Sequence, residues 1–452
     1  MITFIKPSEK GKIWCAMKRN EEALDLLRSL IQINTSNPPG NEEAAVQFIE
    51  GWLKKEGIAS QIFSPAPKRG NLMARLKGKK SGEPIVLLGH IDVVPADESG
   101  WTEHPFKGVV RDGYLYGRGT VDMKADVAAQ IMAFATLKRE GITPEQDIIL
   151  LVTGDEETGG RLGVGYMLEK VDELSDAAFV LSEGGSIIEG EGVLHAQVSV
   201  AEKKICQFII KAHGTGGHGS MPHSDNANDK IVRAANRLIA HAWPIRRNKI
   251  ATRYLSGILE GKKFKGFTFS TLAGALRKKE FHSFIESNPF YNALLRNTVA
   301  LTILKGGVKV NVIPPESEAS FDSRILPEEE HDSFLAQVQK VAGNAVEVVP
   351  ISKEESIPSS FDTDFFKAIR RIVRARKGNI PVLPFITTGA TDLRYFRQLG
   401  ITAYGFSPIA LSREEHLSMH SVNERISVEA FTEGMEATCD IVRELATQST
   451  NE

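Results

Sequence analysis

The stretch DIILLVTGDEETGG, residues 147–160, is an apolar run that ends in three adjacent carboxylates between glycines. PIVLLGHIDVVPA at 84–96 and AAFVLSEGG at 177–185 are built in the same way. Short continuous apolar runs bounded by turn residues are typical of strands buried on both faces of a sheet. Each predicted strand is therefore followed by polar side chains that can bind a metal or carry a proton.

Helical patterns separate these strands. Between the first two, Val127, Ile131, Phe134 and Leu137 recur on one side of a helix. Buried strands that alternate with helices predict an α/β domain with a largely parallel sheet. Such sheets collect ligands at the carboxyl ends of their strands, which is where the polar motifs lie.

The pattern changes after about residue 200. KKICQFIIKAHG alternates like a strand, and the order that follows is strand–helix–strand–strand–helix–strand, which predicts a compact α+β unit. Helix and strand alternate again from about residue 353. The predicted domains are thus 1–201 and 353–452, forming one discontinuous parent, and 202–352, an insertion that contains a mostly helical insert at 244–297.

Length and composition restrict the class of protein. A chain of 452 residues predicts two or three domains. Lys plus Arg minus Asp plus Glu is 55 − 57 = −2, which gives no electrostatic case for nucleic acid or an anionic membrane as a partner. No apolar run approaches the roughly 18 residues of a membrane span. The 3 cysteines are widely spaced, which argues against a disulfide framework and a cysteine-based zinc site.

The N-terminus lacks the apolar h-region and cleavage site of a secretory signal, so a cytoplasmic protein is the default expectation. Asn20 is a plausible N-cap before Glu21 and Glu22, and it predicts that the first helix begins there. Met17 is then a candidate start, with residues 1–16 as a disordered extension.

Two of the polar motifs contain candidate metal ligands. In GHIDVVPA (89–96), Asp92 follows His90 by two residues, so both lie on one side of a strand and the carboxylate could orient the imidazole. In GRGTVDMK (117–124), the glycines permit an unusual backbone that delivers Asp122 just before a helix. Taken singly, His90 also fits an incidental histidine beside a turn-capping aspartate, and Asp122 also fits a helix cap.

The acidic motif TGDEETGG (153–160) places Glu156 and Glu157 next to each other, where one can ligate a metal and its neighbour can handle a proton. Three adjacent carboxylates repel unless cations neutralise them, although a solvated acidic turn is the alternative. Glu183 in SEGG (182–185) repeats the arrangement after another strand.

A late segment, MHSVNERI (419–426), opens with His420, and His416 lies four residues earlier, within reach of a shared helix face. A lone histidine is usually a surface or core residue, so His420 counts only together with the other motifs. Jointly the motifs provide two histidines and three carboxylates as ligands and one further carboxylate as base. Imidazole mixed with carboxylate oxygen suits zinc, or else manganese or cobalt.

With these five separated motifs in order, the chain resembles the M20 family of metallopeptidases and amidohydrolases from about residue 20 to its C-terminus. The resemblance implies a zinc-exopeptidase-like α/β catalytic domain with a mostly parallel sheet, interrupted by an α+β (ferredoxin-like) lid or dimerisation domain. It implies two zinc ions per subunit: His90 and Glu183 bind one, Glu157 and His420 bind the other, and Asp122 bridges them. It further implies a cis peptide between Asp122 and Met123. The catalytic residues by resemblance are Glu156 as general base, Asp92 as orienter of His90, and a lid histidine.

That lid histidine is His218, because HGTGGHGSMPHSDNA (213–227) is similar to the family's histidine motif and His218 is the positional match. VNVIPPESEASFDSRILP (310–327) resembles the segment that supplies a substrate-binding Asn and Arg, here Asn311 and Arg324. Together with TGATD (388–392), whose Gly389 is a further substrate-binding residue by resemblance, and YGFSP (404–408), it most resembles the branch of carboxypeptidase S and the N-acyl-amino-acid hydrolases. A turn residue and a surface salt bridge are the structural alternatives for His218 and Arg324.

The resemblance therefore implies a hydrolase that cleaves the amide bond of N-acyl amino acids or of short C-terminal peptides with a free carboxylate. It also implies a homodimer formed through the lid. A biosynthetic deacylase acting on acetylornithine or succinyl-diaminopimelate is the alternative within the family. A non-catalytic metal-binding protein is a third hypothesis, but such a protein needs neither Glu156 nor Asp92.

Overall fold

A computed structural model describes residues 7–80 and 82–448, with side chains from residue 17 onward. The helices are α1 Pro7–Gln32, α2 Glu42–Lys55, α3 Lys124–Arg139, α4 Tyr166–Lys170, α5 Ala227–Ala240, α6 Lys249–Leu259, α7 Leu272–Ala275, α8 Lys279–Ser287, α9 Pro289–Leu295, α10 His331–Ala342, α11 Asp364–Lys377, α12 Leu393–Gln398, α13 Arg413–Ser418 and α14 Val428–Thr447. The strands are β1 Ser60–Ala66, β2 Arg69–Leu76, β3 Ile85–His90, β4 Val109–Arg111, β5 Tyr114–Tyr116, β6 Ile148–Thr153, β7 Phe179–Ser182, β8 Ile187–Gly190, β9 Val193–Glu202, β10 Lys204–His213, β11 Gly217–His218, β12 Lys263–Phe264, β13 Phe267–Thr268, β14 Thr298–Gly306, β15 Val312–Ile313, β16 Glu316–Ile325, β17 Glu347–Glu354, β18 Val382–Thr387, β19 Ala403–Gly405 and β20 Arg425–Ser427.

The chain divides into two compact units. The first comprises residues 1–200, 359–383 and 391–452, and the second comprises 201–358 and 384–390. The chain thus leaves the first unit and returns to it, and the boundaries between the units fall at 200/201, 358/359, 383/384 and 390/391. The short segment 384–390, which contains Gly389, groups with the second unit although the sequence assigns it to the parent domain.

The first unit is built on a mixed sheet in which neighbouring strands follow the order β1-β2-β6-β3-β7-β19-β9. Its central strands β6, β3, β7 and β19 run parallel to one another, and antiparallel pairs flank them. Every residue of β3 and of β6 is buried, as their uninterrupted apolar sequences predict. The predicted α/β fold with a mostly parallel centre is confirmed.

Helix α3 fixes the position of the loop that precedes it. All of its residues from Lys124 to Leu137 are buried, which agrees with the helix predicted around Val127 and Phe134. The Lys124 ammonium is itself buried and donates hydrogen bonds to the carbonyls of Leu30 (2.9 Å) and Ile33 (2.8 Å) at the end of α1. The start of α3, two residues after Asp122, is thereby hydrogen-bonded to the end of a second helix.

The second unit has an antiparallel sheet with strand order β14-β16-β10-β17, onto which α5 and α10 pack. In chain order this is the β–α–β–β–α–β arrangement of a ferredoxin-like unit. Its core includes Phe208 and Phe321, whose stacked rings lie 5.0 Å apart, together with Ile231 and Phe334. The predicted insert contains α6 to α9 and the hairpin β12–β13, and aromatic side chains form its interior.

The predicted start of the first helix is wrong. The helix begins at Pro7, thirteen residues before Asn20, so the segment 7–16 continues α1 and is not an extension without structure. The remainder of the predicted extension, residues 1–6, lies outside the described residues. No helix in the described part of the chain combines the length and the apolarity that a membrane span requires.

Candidate metal centre

The first unit gathers its polar motifs at one edge of the sheet. His90 is the last residue of β3, Glu156 and Glu157 follow β6, and Glu183 follows β7. These three strands are parallel neighbours, with β3 in the middle, so their carboxyl ends meet. Asp122 lies in the turn before α3, across a cis peptide bond to Met123, as the resemblance implies.

Five of these residues form two groups that share one carboxylate. His90, Asp122 and Glu183 make one group, and Asp122, Glu157 and His420 make the other; within each group the ligand atoms lie within 4.8 Å of one another. His90 Nε2 is 2.9 Å from Asp122 Oδ1, and His420 Nε2 is 2.9 Å from Asp122 Oδ2. Each oxygen of Asp122 therefore faces one histidine.

The orientation of the His90 ring fits a cation. Its Nδ1 lies 3.0 Å from the backbone carbonyl of Asp92, which can only accept, so Nδ1 carries the proton of the neutral ring. In that neutral form, Nε2 has a lone pair that could bind a cation shared with Asp122 Oδ1, 2.9 Å away, and with Glu183 Oε1, 3.4 Å away. Acceptors that face one another in a buried site are stabilised by a metal ion between them, and imidazole with carboxylate is a common donor set for zinc.

The environment of Glu157 is a second observation that fits a bound cation. Its Oε1 atom is buried and receives no aligned hydrogen bond among the described residues, although His420 Nε2 lies 3.5 Å away. Buried carboxylate oxygens without a donor are uncommon, because the lost hydration is not replaced. A cation between Glu157 and His420 would satisfy this oxygen.

The pKa values of the ligand residues reflect the close spacing of several carboxylates in a buried site. Burial and the nearby Asp122 raise the pKa of Glu183 to about 8. The hydrogen bond to Asp122, together with the nearby carboxylate of Glu157, raises the pKa of His420 to about 10. Burial opposes ionisation of Asp122, but the hydrogen bonds from His420 and His90 outweigh it and hold the pKa of this carboxyl far below its usual range. The cluster thus favours positive charge beside Asp122, which a divalent cation would supply.

Asp92 holds the loop after β6 against the end of β3. Its carboxylate accepts hydrogen bonds from the backbone N–H groups of Glu156 and Glu157, both at 3.2 Å, and from Asn37 Nδ2 at 2.9 Å. Asp92 Oδ1 is 3.5 Å from His90 Nδ1, farther than the backbone carbonyl of the same residue. Asp92 therefore contacts the predicted base loop as well as the ring that the sequence assigns to it.

The loop itself turns sharply at Asp155, whose φ of 75° is left-handed. Asp155 belongs to neither ligand group. It accepts from Arg69 Nη2 at 2.7 Å and from the N–H of Leu162 at 2.8 Å, and the same arginine donates to Glu42 at 2.7 Å. One of the three adjacent carboxylates is thus neutralised by an arginine.

Glu156 stands apart from both ligand groups, since neither contains it. Burial is the main cause that raises the pKa of the Glu156 carboxyl well above its usual value. The negative charges of Glu183 and Asp392 raise this pKa further. A carboxyl of raised pKa can both take up and return a proton near neutral pH.

One expectation about the histidines is wrong. Helix α13 ends at Ser418, and His420 follows with a left-handed φ of 59°. His416 and His420 therefore do not share a helix face, and His416 belongs to neither ligand group.

The other predicted residues lie in the second unit. His218 is exposed on β11, where its Nδ1 lies 2.7 Å from Ser220 Oγ, and Asn311 precedes the partner strand β15. Arg324 projects from β16 and donates through Nε to Asp322 Oδ1 at 3.1 Å, which leaves its terminal nitrogens available to a ligand. Gly389 lies in the loop after β18.

Sequence reasoning missed the residues that support the ligands, chiefly Asn37, Arg69 and Glu424. Asn37 lies in NTSNPPG, which reads as an ordinary turn, and nothing in the sequence around Arg69 marks it. Glu424 is contained in the quoted segment MHSVNERI, but its role depends on contacts with residues three hundred positions away.

Comparison with known proteins shows the family of the chain. Residues 86–444 match Peptidase family M20/M25/M40, so the chain belongs to this family and is a hydrolase. It is 30% identical over 434 residues to the N-fatty-acyl-amino acid synthase/hydrolase PM20D1 of Xenopus tropicalis, covering 92% of this chain and 84% of the relative. It is 27% identical over 433 residues to human aminoacylase-1, covering 94% and 95%.

Among solved structures, the fold is similar to that of the M20 family metallo-carboxypeptidase Sso-CP2 from Sulfolobus solfataricus. The TM-score is 0.73 at 19% identity, with 94% of this chain and 99% of the other covered. At this level of identity the similarity concerns the fold alone.

Proposed function

We propose that the chain is a hydrolase with a two-zinc centre that cleaves the amide bond of N-acyl amino acids or of short peptides at their free carboxylate end. His90 and Glu183 would hold one ion, Glu157 and His420 the other, and Asp122 would bridge them. The observation that carries the proposal is the shared position of Asp122, whose two oxygens face two separate histidines at 2.9 Å.

A bound pair of divalent ions supplies Lewis-acid polarisation of a carbonyl and makes water more acidic. The residues of the chain would carry out the proton transfer. Glu156 lies beside the ligand groups without belonging to them, and its raised pKa suits a group that takes a proton from the attacking water and returns it to the leaving amine. Asp92 holds the backbone of Glu156 in place.

The substrate class is supported by the relatives. PM20D1 is by name an N-fatty-acyl-amino acid synthase/hydrolase, and aminoacylase-1 and a carboxypeptidase S-like protein of Dictyostelium discoideum also match. A free carboxylate on the substrate agrees with an arginine on the second unit whose terminal nitrogens are available. The roles of His218, Asn311 and Gly389 and the homodimer through the lid stay predictions.

The test is a hydrolysis screen of the metal-depleted and reloaded protein. N-acyl amino acids of increasing acyl length and C-terminal dipeptides are each assayed with zinc, manganese and cobalt, and every substrate is paired with its carboxamide analogue. We expect turnover of carboxylate substrates that disappears with chelator and returns with metal. Turnover of neither class under any metal would overturn the proposal.

Arg324→Ala should raise KM strongly for substrates with a free carboxylate and hardly affect their carboxamides. A charge-assisted hydrogen bond is worth roughly 1.5–3 kcal/mol, which corresponds to about ten- to a hundred-fold. Arg253→Ala, an exposed arginine on α6 of the same unit, serves as the control and should leave both KM values unchanged. Equal losses on the two substrate types would show that Arg324 only supports the sheet.

A further inference from the structure

Glu424 is a fully buried carboxylate that the proposed chemistry does not use. It lies four residues after His420, yet both of its oxygens are directed at the loop that carries Asp122. Oε1 accepts from the N–H of Val121 at 2.8 Å and from that of Asp122 at 3.3 Å. Oε2 accepts from the N–H of Gly119 at 3.1 Å and from Arg118 Nη1 at 2.6 Å.

This arrangement fixes the backbone of Asp122 at its own N–H and at those of its neighbours. A buried carboxylate is costly unless it is paired and hydrogen-bonded, and the Arg118 guanidinium with three backbone donors meets that requirement. Without these hydrogen bonds the loop could adopt many conformations, because it contains glycines, which permit a wide range of backbone angles.

The same residue also joins the two chain segments that bear ligands. The N–H of Gly117 donates to the Glu424 carbonyl at 3.0 Å, and the following residue, Arg425, pairs with Tyr116 in the β20–β5 ladder. Asp122 and His420 are therefore held in mutual register through Glu424, from both its side chain and its backbone.

We propose that Glu424 is a positioning residue for the metal centre: it sets the place of the bridging Asp122 relative to His420 and so determines metal affinity. The inference rests on the proposed function, because it assumes that Asp122 and His420 bind metal. It adds a residue that is not a ligand and acts only through the loop that it holds.

The test is Glu424→Gln, which keeps the shape of the side chain but places an N–H₂ group where one acceptor was. Partners that orient metal ligands typically contribute 10–100-fold in affinity, and we expect a loss of about that size for zinc, measured by competition with a chromophoric chelator. The visible absorption spectrum of the cobalt-loaded variant should also differ from that of the wild type, since ligand geometry changes.

Glu415→Gln is the matched control. Glu415 is a buried carboxylate in the same part of the chain, and it accepts from the N–H groups of Ser412 (2.8 Å) and Ser427 (2.6 Å) without contacting the Asp122 loop. The Glu415→Gln substitution should lower the Tm of the metal-free protein without changing its affinity for zinc. If Glu415→Gln weakened zinc binding as much as Glu424→Gln, the effect would be general destabilisation and the inference would be wrong.

Glu424→Asp covers the case in which the glutamine variant does not fold. The shorter side chain keeps the charge beside Arg118 but retracts from the backbone donors, so zinc affinity should still fall. Wild-type affinity in Glu424→Asp, or in a folded Glu424→Gln, would overturn the positioning role alone. A wild-type protein that binds no zinc would instead overturn the proposed function, and the inference with it.

Discussion

Glu156→Gln is expected to lower kcat by about 10²–10⁴-fold while the protein retains its full metal content, since this is the usual contribution of a general base. The glutamine side chain has the size of glutamate but cannot take a proton. Because Glu156 lies outside both ligand groups, its replacement leaves all five proposed ligands in place. Single-turnover kinetics and metal analysis on the same preparation measure the two quantities together.

The neighbouring residue provides the control for this prediction. Glu157→Gln changes the same chemical group one residue later, but Glu157 belongs to the group with Asp122 and His420. It should lose metal from that group, and its activity should recover in part when metal is added in excess. Loss of metal from Glu156→Gln would reassign that residue as a ligand.

Asp122→Ala is expected to remove both metal ions, or most of the affinity for each, because one side chain takes part in both groups. His90→Ala should mainly empty one site, since its ring contacts Asp122 and Glu183 but is not in the group with His420. Metal counting by mass spectrometry on the purified variants compares the two. Circular dichroism on each sample verifies that the fold is retained.

The metal content of the two variants also shows whether Asp122 bridges two ions. Equal metal content in Asp122→Ala and His90→Ala would mean that Asp122 serves a single ion. Retention of both ions by Asp122→Ala would place the centre elsewhere and would contradict the proposed function as well.

The sequence alone predicted the central sheet because β3 and β6 are uninterrupted apolar runs, and the ends of such runs mark where ligands gather. It missed the start of α1, where the residues before Asn20 continue the helix from Pro7. It also allowed His416 and His420 to share a helix face, because a spacing of four residues is compatible with a helix, but α13 ends at Ser418.

The contacts that support the site could not be predicted, because their partners are distant in the chain. Arg69 meets Asp155 across 86 positions, and Glu424 meets Val121 across 303. A local pattern contains no information about such pairs. The adjacent carboxylates of TGDEETGG predicted that cations neutralise their repulsion, but only the structure shows that the cation beside Asp155 is the guanidinium of Arg69.

By itself, the sequence determined the fold class and the residue types available for chemistry, since both follow from apolar periodicity and from the motifs that end each strand. Only the tertiary structure decided which of those residues meet. It brings Asp122 between His90 and His420 because β3, α3 and the segment before β20 converge. It also places Glu157 in a ligand group and leaves the adjacent Glu156 outside both, on a loop that has a left-handed turn at Asp155 and is hydrogen-bonded to Asp92. Such distances depend on backbone bonds between remote segments, and a linear pattern of residues does not specify them.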